Sequence, residues 1–266
     1  LSWAKGLMKA LIFFYRESPQ HEVRITQDYY IGKFEVTASQ WIWLMGNTSI
    51  FDPNRQVYTE TEPVDPTISP IHNIEFREVQ AFIDSLNKKE GLNAFRLPTE
   101  AGWEYACKAG TTGRYWFGLN YRDRQNNKNL VFAPGTRIIL SPTGPTTDPD
   151  YMHKIGWSVP NPWGIYDMHR NVAEWVLEGG FRQYTTNPQT DPIAPMTNSS
   201  ISFELPDFYG GTRTITYTDI HLFRGGAYNL PDHHTRSTYR GYVANANNGP
   251  KEGIGFRLVR SITNSE

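Results

Sequence analysis

RLPTEAGWEYACKAG, residues 96–110, reads as a short capped helix, and the rest of the chain is interpreted around it. Thr99 supplies a hydroxyl oxygen at the N-cap, Glu100 places a negative charge in the first turn, and Gly110 ends the run. Trp103 and Glu104 read as core and loop-pinning residues. Glu100 and Glu104 make no acid/base pair unless a cleft holds them. Downstream, NPWGIYDMHRNVAEWV (161–176) mixes turn formers with large apolar residues, and Trp163 and Trp175 again read as core or loop-pinning. Upstream, residues 75–90 carry Val79, Phe82, Ile83 and Leu86 at i, i+3, i+4 and i+7, one apolar helical stripe, with Asn73 as N-cap and Gly91 as stop.

Thr37 caps another short helix, ASQWIWLMG, stopped by Gly46 and Asn47. Residues 22–35 read as a strand or hairpin, and the four prolines within 48–72 as irregular loop. Residues 111–165 are loop-rich, and 180–219, rich in Thr, Asn and Pro, read as a surface insertion. The last forty residues are expected to supply strands that close a sheet. The sum is an α+β chain with two main helices and short antiparallel strands, forming a single domain over 1–266.

Hydrophobic residues make up 38% of the chain and aromatic residues 14%, so aromatic rings carry an unusual share of the core. A net charge of −1 with scattered Lys and Arg gives no footprint for nucleic acid. The single cysteine, Cys107, excludes an intrachain disulfide and a Cys-based metal cage. No stretch reaches the roughly 18 apolar residues of a membrane span. The chain begins at Leu1, and the expectation is that the native N-terminus lies upstream. Residues 1–15 read as a short amphipathic element packed on the domain.

The segment FRGGAYNLPDHHTRSTYRGYVANANNGPKEGIGFRLVR, 223–260, has framework-like ends and an irregular middle of Tyr, His, Asn, Gly, Asp and Pro. That mixture makes poor helix or strand but a good contact surface, with rigid amphipathic rings among adaptable polar groups. Tyr228, Leu230, Asp232, His233, His234, Tyr239, Tyr242, Val243, Asn245 and Asn247 are the candidate ligand-contacting residues. Ala227, Thr235 and Ser237 read as small framework residues. Arg224, Arg236, Arg240 and Arg257 read as buried forks holding the loops. His233 and His234, adjacent on an extended segment, would point to opposite faces, which makes sharing one metal ion awkward.

Taken together, GKFEVTASQW (32–41), PIHNIEFREVQAFIDSLN (70–87), RLPTEAGWEYACKAG, NPWGIYDMHRNVAEWV, FRGGAYN and GIGFRLV resemble the formylglycine-generating enzyme (sulfatase-modifying factor) family. The resemblance covers about residues 20–260 and implies a C-type-lectin-like fold with few regular elements and many ordered loops. Enzymes of the family oxidise a substrate cysteine with two active-site cysteines. The matching positions here are Asp232 and Ser237, which cannot serve as thiolate or copper ligand, so the resemblance implies no oxidase.

RGGAYNLPDHHTRSTYR (224–240) is more similar to a subset of the family, the variable proteins of diversity-generating retroelements. These display a hypervariable C-terminal segment, here about 224–257, as a recognition site. Adenine-directed mutagenesis of AAY codons never yields Lys, Glu, Gln, Met or Trp. Residues 224–250 contain none of the five, although they make up 45 of the 266 residues. By composition alone such a run has a chance on the order of one in a hundred. The resemblance implies a surface lipoprotein on the extracellular face of an outer membrane, anchored by an N-terminal lipid, with a protein or glycan ligand on a host or another cell. It implies no catalytic cofactor. It does imply a candidate structural calcium at Asn171 and Glu174, with Asn129 and Asp150 as a second pair. Arg170 stands where the family favours glycine. Two alternatives stay open: a related oxidase or modifying enzyme with an altered active site, and a calcium-stabilised glycan-binding lectin. No EPN or QPD carbohydrate motif is evident.

Overall fold

The computed structural model describes residues 17–46, 65–118, 152–180, 182–194, 200–206, 212–230, 232–244, 249 and 251–262. Among them are three helices, α1 (Ala38–Met45), α2 (Phe76–Glu90) and α3 (Glu100–Lys108), and eleven short strands. Helix α1 starts in a capping box: Gln40 N donates to Thr37 Oγ1 at 3.2 Å, and Thr37 N donates to Gln40 Oε1 at 2.9 Å. Helix α2 buries Phe76, Val79, Phe82 and Ile83 and stops at left-handed Gly91. Its N-cap is Glu75, whose amide is held by Glu78, and not Asn73 as the sequence suggests. Asn73 takes a left-handed φ of 57° and turns its side-chain oxygen to Gly253 N at 2.9 Å. Helix α3 is capped by Thr99 through Gly102 N and ends at left-handed Ala109, one residue before Gly110.

A four-stranded sheet forms in the order β10 (Ile254–Gly255), β4 (Ala173–Trp175), β8 (His221–Arg224), β9 (Gly241–Val243). A three-stranded antiparallel sheet has the order β2 (Tyr29–Ile31), β11 (Val259–Ser261), β3 (Phe95–Arg96). Residues 22–35 therefore do not close a hairpin. β1 (Val23–Arg24) pairs with β5 (Gln189–Thr190), and β2 pairs with β11. Both the β1–β5 and β10–β4 pairings are parallel, where the sequence reading expects antiparallel strands. The 180–219 stretch contains an antiparallel ribbon, β6 (Ser200–Pro206) against β7 (Thr212–Thr218), with Thr212, Thr214, Thr216 and Thr218 exposed.

Strand alternation divides the core in two. Ala173, Trp175 and Phe223 face a cluster containing Trp41, Phe76, Phe82 and Phe256, in which the Trp41 and Phe82 rings stack at 5.2 Å. Val176 and Leu222 face a second cluster under α3, containing Trp103, Ala106, Cys107, Met168 and Ile220. The β4–β8 pair thus lies between the two, buried on both faces. Contact across it is close: a Cβ at Gly241 would fall 2.1 Å from the Phe223 ring, and one at Gly255 would fall 2.2 Å from the Ile71 carbonyl oxygen.

Candidate recognition site

The chain leaves the central sheet at Arg224, the end of β8, and returns at Gly241, the start of β9. What lies between is held by buried guanidinium groups, each with a carboxylate partner from the framework. Arg240 makes a fork-to-fork contact with Glu100, Nε to Oε1 at 2.6 Å and Nη2 to Oε2 at 2.7 Å, and stacks on the Tyr184 ring at 4.2 Å. Arg224, fully buried, grips Glu104 one helical turn along α3 and donates to Tyr239 O. Burial raises the Glu104 carboxyl, but Arg224 and Lys108 outweigh it and hold the group below the usual carboxylate range. Arg236 reaches Glu17 and also donates to His233 O. Arg257, past the return strand, chelates Glu174 at 2.7 and 2.6 Å. All four arginines serve as the forks expected from sequence.

The small residues Ala227, Thr235 and Ser237 are buried, as their size suggests. The ten candidate contact residues do not behave alike. His233 is exposed, and Leu230, His234, Tyr242 and Val243 are partly exposed. Tyr228 and Tyr239 are each only 5% exposed and belong to the scaffold. Tyr239 packs in the first core cluster, and Tyr228 meets the His72 ring edge-on at 6.2 Å. Burial first, and then Glu252, push the Tyr228 phenol up to about 12. Asp232 and His233 share a single 3-10 turn with His234, so the two imidazoles are not on opposite faces; their centroids lie 4.1 Å apart. Asn245 and Asn247 lie outside the described residues.

The sequence reading leaves out several residues that shape this surface. Asn229 is exposed in the turn after Tyr228. Glu75 Oε1 accepts from Gly249 N at 2.9 Å, tying the far end of the segment to the start of α2. Glu17 holds both Arg236 and Thr238. No local pattern signals these anchors, because each partner lies more than 170 residues away. Trp163, read as a core or loop-pinning residue, is instead 48% exposed, edge-on to exposed Tyr105 at 4.9 Å.

Of the nominated calcium ligands, Asn171 and Glu174 have their side-chain oxygens engaged by protein partners. Both Glu174 oxygens are taken by Arg257, and Oε2 also accepts from Trp103 Nε1 at 2.5 Å. Asn171 Oδ1 accepts from His153 N at 2.9 Å, and its amide nitrogen donates to Glu35 Oε1 at 3.0 Å. Asn129 and Asp150 lie outside the described residues. Among the described residues no group of three His, Cys, Asp or Glu is placed to hold a metal. Cys107 is fully buried, 3.7 Å from His169 Nε2, and burial pushes its thiol up to about 12, the state of an unreactive core thiol.

Comparison with known proteins agrees with this architecture. The chain is 28% identical over 188 residues to the chaperone protein LppX of Paenibacillus barcinonensis, covering 57% of this chain and 62% of that protein. It is 26% identical over 158 residues to the formylglycine-generating enzyme of Mycobacterium tuberculosis, covering 55% and 49%. The chain thus spans less than two thirds of each of these curated relatives. Treponema denticola variable protein 1 superposes with a TM-score of 0.66 at 20% identity, covering 93% of this chain and 89% of that one, which establishes the shared fold. The model of the sulfatase-modifying factor enzyme 1-like domain matches residues 4–262. The protein is therefore a member of the sulfatase-modifying factor enzyme 1-like family.

Proposed function

We propose that this chain is a non-enzymatic binding protein whose ligand-facing surface is the segment 227–249, diversified by a retroelement. One observation carries the reading: the guanidinium groups of Arg224, Arg236 and Arg240 are consumed by framework carboxylates, while His233 and Asn229 are exposed between those anchors. A rigid frame around replaceable side chains reduces the ordering cost of binding and lets the contact residues change without loss of fold. Thiol chemistry has no place in the segment, because residues 232 and 237 are Asp and Ser and Cys107 is buried in the core. The resemblance of residues 224–240 to variable-protein segments favours a cell-surface location, with a protein or glycan on a host or another cell as partner.

The test is to sequence the 3′ end of the gene and its flanks in many isolates or passaged clones. Changes should concentrate at codons 230, 232, 233, 234, 242, 243, 245 and 247, leave Arg224, Thr235, Arg236, Ser237 and Arg240 fixed, and match a nearby adenine-rich template copy. An invariant segment with no template would end the retroelement reading. Incubation of the protein with copper and a cysteine-containing peptide should give no formylglycine by mass spectrometry. Formylglycine formation would reinstate the enzyme.

A further inference from the structure

We infer that Glu17 is a positioning residue of the recognition segment, and that residues 17–22, just before β1, form one wall of the site. The inference rests on the binding function proposed above. Glu17 lies 219 residues from Arg236 and contributes one oxygen to it and the other to Thr238, whose Oγ1 donates at 2.6 Å. Arg236 passes the constraint on: its other terminal nitrogen donates to the carbonyl of His233, and its guanidinium lies 6.0 Å from the Tyr239 ring. One carboxylate therefore fixes both the 3-10 turn carrying the exposed imidazole and the bend that follows it. Two backbone contacts complete the grip. Ser237 N donates to Arg114 O at 2.8 Å, and Thr235 O accepts from His169 Nδ1 at 2.7 Å.

The following residues lie alongside the same structure. His21 packs edge-on against Tyr184 at 4.5 Å, and Tyr184 is the ring under Arg240. Glu22 and Arg24 accept through their carbonyls from Gln189 N and Asp191 N, and Asp191 in turn receives the amide and hydroxyl of Thr26. This stretch starts at Glu17 against 236–238 and is laid down along 184–191 as far as Thr26. Its side chains hold the segment from outside the variable stretch, so diversification leaves them in place.

Amide hydrogen exchange on the full chain tests this without a known ligand. In Glu17→Gln, exchange of the Ser237 and Tyr239 amides should accelerate on the order of tenfold to a hundredfold, the scale of a lost charge-assisted hydrogen bond. Helix α2 should stay protected as in the wild type. Thr238→Val removes one bond and leaves the ion pair, so it should accelerate the same amides less, and it decides the matter if Glu17→Gln does not fold. Unchanged Ser237 and Tyr239 amides, or equal acceleration throughout α2, would overturn the assignment. Invariance of the segment across isolates would instead remove the binding function and leave a local clamp, so the two failures are distinguishable.

Discussion

A buried guanidinium and its carboxylate stand or fall together, because removing one leaves the other charged and out of water. Arg257 and Glu174 are both buried, with Trp103 Nε1 as a third member. Arg257→Met should therefore cost about 3–5 kcal/mol in urea unfolding, and a loss below about 1 kcal/mol would show that the pair is not built as described. Proton linkage gives a second expectation. Burial, then the neighbouring Glu100 carboxylate, push Glu178 from 4.5 up to about 8. The folded state holds that proton more tightly than the unfolded chain, so its contribution is full below about pH 4.5 and is lost as pH rises to about 8. In a melting series over that window Glu178→Gln should give a flatter curve than the wild type. His234 works in the opposite direction: burial, then His233 and Arg236, push it down to about 4, so its contribution is lost as pH falls from 6.5 to about 4. His234→Gln should flatten the acid limb, and an unchanged limb would count against it. The arginine roles were legible in sequence because Arg224, Arg236 and Arg240 stand next to Gly, Ser or Thr, and Arg257 in the GIGFRLV frame, where a guanidinium fork has few other uses. The fates of Tyr228 and Tyr239 were not, since a tyrosine in such a segment looks the same facing solvent or core.

Among elements, legibility followed locality. The apolar stripe of α2 and the hydroxyl caps of α1 and α3 are written within a few residues, and the structure agrees with them. The strands are two to four residues long apart from the β6–β7 ribbon, too short for alternation to declare a partner. β2 finds its partner at β11, at the other end of the chain, so nothing in residues 22–35 could distinguish a hairpin from two separate strands. β10 is shorter still, and its seat depends on an absent side chain. A Cβ at Gly255 would collide with the Ile71 backbone, which no rotamer can relieve. Gly255→Ala should cost about 3 kcal/mol or prevent folding. Near wild-type chemical denaturation would mean that the β10–β4 pair is less tightly seated than the structure places it.

Across the whole molecule, a sheet buried on both faces carries a surface segment whose two ends are clamped to one helix. Glu104 holds Arg224, where the segment leaves, and Glu100 holds Arg240, where it returns. Phe223 and Gly241 are paired across β8 and β9, so the strand ladder, not the segment's own length, sets the gap between exit and return, and two carboxylates about 6 Å apart along α3 brace its ends. Two glycines inserted after Asn229 should therefore lower unfolding stability by well under about 1 kcal/mol, the entropy of a slightly longer loop. A loss of several kcal/mol would show that the ends do move. The β8–β9 pair acts as a gauge block braced by α3: it fixes the width of the opening and leaves the reach of what hangs there open to change by insertion as well as by substitution.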